Sequence, residues 1–306
     1  MSKVCIIGGL GFLGSHLCDA LKAAGHHVTV IDNESQSSVV PLNSSADTVH
    51  LSDAANLQFY NQVKYDYVFH CASPCGPATI SPGYALEKII ELTKVGLDFA
   101  QRTGARFVKF STSEVYGRSD TTLFESTSAL ISPAYDARSE YSIGFIAAEC
   151  LCFTHPHPDV QVLRLFNVVG PRQSSKTGAV MPRLIEQAKA GDPLTIFGDG
   201  NQSRGFLDVS DFTAFCLLLM DNWPKEKGTW NVANPSNAIT MLQLAGLVSN
   251  EIGGTPNHLF IGGSEIWPHY RDGVEKRHIS IDKARSIGWV PKLGIREIIQ
   301  KCLSAT

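Results

Sequence analysis

The sequence predicts a doubly wound α/β fold: a parallel sheet covered on both faces, with a smaller α/β region toward the C-terminus. Three observations carry this. Short apolar runs alternate with helical patterns through the first half of the chain. A glycine-rich turn joins the first run to the first helical pattern. After Pro171 the alternation loosens, and proline and glycine become frequent.

The elements follow in order. Residues 4–7, 28–31, 67–70, 107–110 and 160–165 are short runs rich in branched and aromatic residues, as buried parallel strands require. Apolar residues at helical spacing place helices near 13–24, 84–102 and 137–154. Beyond Pro171 the pattern predicts a helix at 181–190, a short strand at 194–197, and apolar helices at 209–221 and 240–253. We therefore expect residues 1–165 to form a nucleotide-binding domain and 166–306 to be mainly a substrate domain, with 205–235 returning to pack on the first. In such sheets ligands bind beyond the carboxyl ends of the strands. The glycine-rich loop, Asp32, His70 to Ser73, and Ser111 to Glu114 all fall at those ends and should converge on one crevice.

Composition narrows the class of protein. With 306 residues, 43% of them hydrophobic and 18% charged, the chain can bury a substantial core. A formal charge of -3 gives no basis for nucleic acid or an anionic membrane as partner. No apolar run approaches the ~20 residues of a membrane span. The first strand begins too early to leave room for a signal peptide, and the eight cysteines show no metal-type spacing. A cytoplasmic protein with free thiols and no bound metal is the expectation.

The cofactor signal lies in Gly8-Gly9-Leu10-Gly11-Phe12-Leu13-Gly14, a GxxGxxG turn between strand and helix. Gly8 permits the tight turn, Gly11 lets the backbone approach a pyrophosphate, and Gly14 lets helix and strand pack closely. Asp32 lies 18 residues beyond Gly14, at the end of the next strand. A carboxylate there bonds ribose hydroxyls and repels a 2′-phosphate. No arginine follows in Asp32-Asn33-Glu34-Ser35, so NAD is expected rather than NADP. This makes the first half a Rossmann-type domain. Asp53-Ala54 follows further on, where an exposed loop aspartate is the plain reading.

Downstream, Ser111-Thr112-Ser113-Glu114-Val115-Tyr116-Gly117, Tyr141, Arg164-Leu165-Phe166-Asn167-Val168-Val169-Gly170-Pro171-Arg172, Ile196-Phe197-Gly198-Asp199-Gly200 and Arg204-Gly205-Phe206-Leu207-Asp208 together resemble an extended short-chain dehydrogenase/reductase acting on nucleotide sugars. The resemblance covers essentially the whole chain. Within that group, three segments are most similar to UDP-glucuronate decarboxylases: the Ser113-Glu114 motif, the loop His70-Cys71-Ala72-Ser73-Pro74, and Val274-Glu275-Lys276-Arg277 with Ser280-Ile281.

The resemblance implies NAD contacts from the glycine loop, Asp32, Asn33, Asp53, Ala54, Cys71, Ala72, Ser73, Ser111 and Tyr141. It implies that a UDP-sugar is held by Ser73, Glu114, Tyr141, Asn167, Arg172, Arg204 and Arg277. The implied chemistry is oxidation of UDP-glucuronate at C4, with Tyr141 taking the hydroxyl proton and Thr112 bonding the reacting oxygen. Loss of carbon dioxide follows, giving UDP-xylose or the 4-keto pentose. Ser113 and Glu114 would handle the sugar and the proton at C5, with Arg277 as electrostatic partner. The helices near 84–102 and 137–154 would form a homodimer interface, with Ile143, Ile146, Ala147, Cys150 and Leu151 on its apolar face.

One position departs from the resemblance. Tyr141 is chosen by register: Glu149 follows it by eight, Thr112 precedes it by 29, and Arg138 lies three before it. Tyr135 competes but lacks the downstream glutamate. The lysine expected four residues after Tyr141 is Phe145. A phenol has a pKa of ~10, and a nearby cation lowers it toward neutrality. Phenylalanine supplies no cation, and Ile89 and Leu92 suggest that the adjoining helix pair is repacked. Three readings stay open: a decarboxylase with another cation supporting Tyr141, an epimerase or dehydratase with a different base, or a protein that binds NAD and a nucleotide sugar without turnover.

Overall fold

The structure, a computed structural model, describes residues 1–36, 38, 43–60, 63–74, 83–119, 121–131, 139–255, 257–262 and 277–305. The chain enters directly on β1 (Lys3–Ile7), then turns into α1 (Phe12–Ala23) and β2 (His27–Asp32). After β3 (Thr48–Leu51) and β4 (Tyr67–His70) come α2 (Tyr84–Thr103), β5 (Arg106–Thr112), the two-residue β6 (Thr122–Leu123), α3 (Ser139–Thr154) and β7 (Val160–Leu165). The second half holds β8 (Val168–Val169), α4 (Val180–Ala190), β9 (Leu194–Phe197), β10 (Ser203–Gly205), β11 (Leu207–Asp208) and α5 (Val209–Asp221). Then follow β12 (Gly228–Val232), β13 (Ala238–Thr240), α6 (Met241–Ile252), β14 (His258–Ile261), β15 (His278–Ile279) and a C-terminal helix, Ile295–Ser304.

Seven strands form one sheet in the order β12-β7-β5-β4-β1-β2-β3, and every pairing is parallel. The strand order reverses between β1 and β4, the switch point at which folds of this kind open a ligand crevice beyond the strand ends. The Rossmann-type reading is the fold observed. Two sheet strands escape the pattern. β3 is a short edge strand, half-exposed, with polar residues in alternation. β12 carries Thr229 and Asn231, both buried, so its apolar run is broken.

Parallel strands buried on both faces need apolar side chains above and below, and the core divides accordingly. Val4, Ile6, Val28, Val30, Phe69, Val108, Phe110 and Leu163 pack on one face against α1 and α5. Cys5, Ile7, Val68, Phe107, Val160 and Val162 pack on the other against Leu97, Phe99 and Ala100 of α2. A third cluster, built from α4, β9, α6 and the C-terminal helix, includes Leu184, Ile196, Leu244 and Ile298.

Two polar arrangements fix α3, the second of them buried. Its Glu140 carboxylate accepts from Gly83 N (3.0 Å) and Leu86 N (3.1 Å), capping the start of α2 from outside that helix. Its Glu149 carboxylate, one turn from the other end, accepts from Ser111 Oγ at 2.6 Å and from Arg164 Nε and Nη2, the latter at 2.7 Å. The side chains of Arg164 and Glu149 are only 11% and 8% exposed. Burial works against the Arg164 charge, but the Glu149 carboxylate outweighs it and raises the guanidinium's pKa above its ordinary value. Residues 137 and 138, expected at the start of α3, lie outside the described residues, as does Tyr135.

Removing Glu149 would leave a buried arginine without its carboxylate. We expect Glu149→Ala to lower the unfolding free energy by about 3–5 kcal/mol, measured by urea denaturation. A loss below about 1 kcal/mol would show that Arg164 rehydrates at little cost.

Candidate functional site

The crevice begins at the glycine loop. Gly8 has φ +83°, and its N–H donates to Ile31 O at 2.7 Å, tying the loop to β2. A Cβ on Gly8 would lie 2.6 Å from Ala72 N, and one on Gly14 only 2.2 Å from Gly8 O. These are backbone atoms that cannot yield, so both positions require glycine. At Gly11 a Cβ would have only Gly8 O and Gln36 O near it, at 3.5 and 3.9 Å, so the bare backbone leaves an open cradle. Phe12 and Leu13 begin α1 just beyond. No side chain caps that helix and its first turn carries no acid, so its N-terminal N–H groups face the cradle uncontested. A pyrophosphate fits such a site.

Asp32 is buried at the end of β2. Its Oδ2 accepts from Leu10 N (2.9 Å) and its Oδ1 from Glu34 N (2.8 Å), so the carboxylate that would meet the ribose also holds the loop. Asn33 donates to Asp53 Oδ2 at 3.2 Å, and Asp53 Oδ1 accepts from Ala55 N, beside the buried Ala54. This joins the two segments expected around adenosine. Cys71 N and Ala72 N both donate to Ile7 O, which brings the β4 loop against β1, and Ser73 follows with its hydroxyl on Pro74 O.

The second wall is built at the end of β5. Ser111 is anchored to Glu149. Thr112 caps a short turn, Ser113–Tyr116, its Oγ1 accepting from Glu114 N at 3.2 Å and leaving its own O–H to donate. Arg277 arrives from 164 residues away in sequence: its Nη1 donates to Ser113 Oγ (3.1 Å) and to Glu114 Oε1 (3.2 Å). The Arg277 side chain is 5% exposed and that of Glu114 is 32% exposed, so the cation is sheltered while the carboxylate is partly open to solvent. The neighbouring Val274, Glu275 and Lys276 lie outside the described residues, as does Arg138.

Tyr141 lies half-buried in the first turns of α3, its ring edge-on to Phe145 with centroids 4.8 Å apart. Phe145 is 3% exposed and belongs to the core. The remaining expected residues are dispersed. Asn167 takes a left-handed φ of +40° and donates to Gly205 O. Arg204 lies on β10 and donates to Ser203 O. Arg172 is held by Asp19 at 2.6 Å on the outside of α1, apart from the Ser113–Glu114–Arg277 group.

Lys109 is a residue that sequence reasoning passed over. It lies in β5, fully buried, with its ammonium 3.0 Å from His70 Nδ1 and 5.5 Å from the centroid of the Phe145 ring. His70 Nε2 donates to Leu92 O at 2.9 Å, so Nδ1 is the acceptor and Lys109 the donor. Burial, reinforced by the Lys109 charge, holds His70 well below the ordinary histidine value. Burial lowers Lys109 itself to about 8. The sequence signal was a lysine inside an apolar strand, sharing a face with Phe107 and Ser111.

Among the described residues no cluster of side chains is arranged to hold a metal ion, and no helix is long and apolar enough to cross a membrane. Comparison with known proteins places this geometry. Residues 4–233 match the profile of the NAD dependent epimerase/dehydratase family. UDP-glucuronic acid decarboxylase 4 of Arabidopsis thaliana is 32% identical over 96% of this chain, which spans 66% of that protein's length. UDP-N-acetyl-alpha-D-glucosaminuronate decarboxylase of Bacillus cytotoxicus is 28% identical, covering 98% of each chain. A solved structure, MoeE5 in complex with UDP-glucuronic acid and NAD, superposes with TM-score 0.83 and 25% identity, over 99% of this chain and 98% of that one.

Gly14→Ala tests the cradle. With a backbone oxygen 2.2 Å from the new Cβ, the loop must shift, and affinity for NAD should fall at least about tenfold. Calorimetric titration of a variant shown to be folded by circular dichroism gives the answer; unchanged affinity would mean that NAD does not rest on this loop.

Proposed function

The chain belongs to the NAD dependent epimerase/dehydratase family, and within it we propose that the protein is a nucleotide-sugar decarboxylase that converts UDP-glucuronate to UDP-xylose or the 4-keto pentose. The observation that carries this reading is the convergence of Arg277 on Ser113 and Glu114 beside Thr112. A sheltered guanidinium with paired donors suits a substrate carboxylate. Both decarboxylase relatives named above act on sugar acids by their names.

The glycine loop and Asp32 would hold NAD, which would supply the hydride acceptor for C4; return of that hydride would give UDP-xylose, and its retention would leave the 4-keto pentose with NADH. In this reading Tyr141 takes the C4 hydroxyl proton, and Thr112 donates to the same oxygen. The resulting ketone is β to the carboxylate, so the C5–carboxyl bond breaks with its electron pair passing to the ketone oxygen. Thr112 and Tyr141 are the donors placed to receive that charge. Glu114 and Ser113 return a proton to C5, and Arg277 orients the carboxylate before it leaves as carbon dioxide. Asn167 and Arg204 hold the diphosphate, and Arg172 joins them only by leaving Asp19. We assign NAD to residues 1–165 and the sugar nucleotide mainly to 166–306. We also assign a homodimer through α2 and α3, where Cys150 is exposed and Ile143 and Ala147 are half-buried, while the half-buried Ile146 and Leu151 pack on the core.

Phe145, edge-on to Tyr141, favours a second reading in which NAD and the sugar bind without turnover. Incubation with NAD and UDP-glucuronate, followed by mass spectrometry of the nucleotide sugars, separates the two. Loss of carbon dioxide is expected. An unchanged sugar, with NAD demonstrably bound, would sink the decarboxylase reading. Arg277→Met should lower kcat by about 10²-fold or more while leaving NAD affinity intact.

A further inference from the structure

A tyrosine serves as a base near neutral pH only if something favours its phenolate, because an unassisted phenol ionises at ~10. Within the proposed site the position best placed to help carries an apolar ring, Phe145. The structure shows what lies against that ring. Lys109 reaches up from β5, and its ammonium lies 5.5 Å from the Phe145 centroid. The Tyr141 ring lies 4.8 Å from that same centroid. A cation from β5 and a phenol from α3 thus both neighbour one apolar ring.

We propose that Lys109 is the positioning residue that supplies the positive charge for Tyr141, its field reaching the phenol across the Phe145 ring. The inference rests on the reading of Tyr141 as the base, but not on the identity of the sugar. Three features support it. The ammonium lies 5.5 Å and the Tyr141 ring 4.8 Å from the centroid of the buried Phe145 ring, so the field acts through a protein interior that screens it less than water would. The partner of the ammonium is the neutral His70 Nδ1, a hydrogen-bond acceptor that leaves the charge uncancelled. Among the described residues, the other titratable groups acting on the ammonium are the thiols of Cys152, from α3, and Cys71, from the β4 loop. Burial raises both thiols well above their ordinary values, so they stay neutral at pH 7. Glu149, the nearest carboxylate along α3, is occupied by Arg164 and Ser111. Lys109 therefore presents a nearly unopposed charge to the ring.

Lowering of Lys109 to about 8 gives the pH sense. Below that value the ammonium is charged and favours the phenolate; above it the support fades as the lysine loses its proton.

The test reads Tyr141 directly. With tyrosine labelled at Cζ, carbon-13 spectra of the NAD-bound protein follow each phenol through its titration, and the Tyr141→Phe variant identifies the signal. Lys109→Met should raise the Tyr141 midpoint by about one unit. Lys109→Gln, which keeps a donor for His70, should do the same. If either folded variant leaves the midpoint within about 0.3 unit of the parent, the proposal is overturned. Where the parent turns over, kcat at pH 7 should fall about tenfold in Lys109→Met, with KM little changed and the pH profile displaced upward.

Exchanging the two positions, Lys109→Met with Phe145→Lys, moves the cation rather than removing it, and should lower the midpoint and recover the rate. A purely structural role for Lys109 predicts no recovery. Phe145→Lys alone would set two ammonium groups against each other, so a smaller gain is expected than in the exchanged pair. Should the parent leave UDP-glucuronate unchanged, the decarboxylase reading fails while the Tyr141 midpoint still decides the role of Lys109.

Discussion

The buried Glu149 carboxylate is the constraint on which the site depends. Its two oxygens take Ser111 from β5 and Arg164 from β7, so one group pins three adjacent elements. Ser111 immediately precedes Thr112, and Tyr141 lies eight residues before Glu149 on the same helix, about 12 Å along its axis. Fixing the carboxylate therefore sets how far Tyr141 stands from the end of β5. The helix is clamped a second time by Glu140, which caps α2 and sits next to Tyr141 in the chain. Between these anchors α3 has little freedom to slide. Buried ion pairs are rarely a net gain in stability, because desolvation of both charges offsets their attraction. Here the gain is placement.

The cofactor wall follows a different logic, in which backbone does most of the binding. Gly8 and Gly14 are forced by contacts with backbone atoms at 2.6 and 2.2 Å. Asp32 serves as much by holding Leu10 N and Glu34 N as by offering a carboxylate to a ribose. Glu34, at φ +59°, pays a strain that the hydrogen bond to Asp32 helps offset. The result is a preformed cradle whose shape does not depend on long side chains, and that rigidity suits a cofactor which must present one face to the opposite wall.

These two modes explain what could be read from the chain alone. The glycine loop, Asp32 and the Ser113–Glu114 motif are local signals: each sits within a few residues of a strand end, and strand ends in a parallel sheet converge by topology. Arg277 could be named only through a resemblance, because no periodicity links it to a turn 163 residues earlier. β3 and β12 were passed over for a common reason. One is a half-exposed edge and the other buries Thr229 and Asn231, so neither shows an unbroken apolar run. Asn231 is satisfied by Tyr116 Oη–H at 2.6 Å, a pairing that only tertiary structure reveals. Lys109 was illegible for a sharper reason. In a strand of unknown position a lysine reads as an edge or surface residue; it becomes remarkable only when the sheet order places β5 between β4 and β7 with helices packed over its face.

That placement raises a question of energetics with a mechanistic answer. A lysine sealed in a core costs several kcal/mol in desolvation, and the neutral His70 returns only one hydrogen bond. A methionine of similar length would fill the same volume without the penalty. The ring above it does not require a charge either, since the cation–π attraction is about 0.5–2 kcal/mol and falls short of the burial cost. Packing alone therefore gives no reason for a cation at residue 109. What the ammonium gains from its position is a neighbour: beyond His70 it lies against the Phe145 ring, and that ring packs on Tyr141. A buried charge that lowers stability but lies against a ring packed on a phenol is better explained by ionisation chemistry than by folding. On that view the phenylalanine is the conduit between a cation on the strand and a phenol on the helix, and the cost of the buried lysine is borne by the pinned scaffold of Glu149 and Arg164.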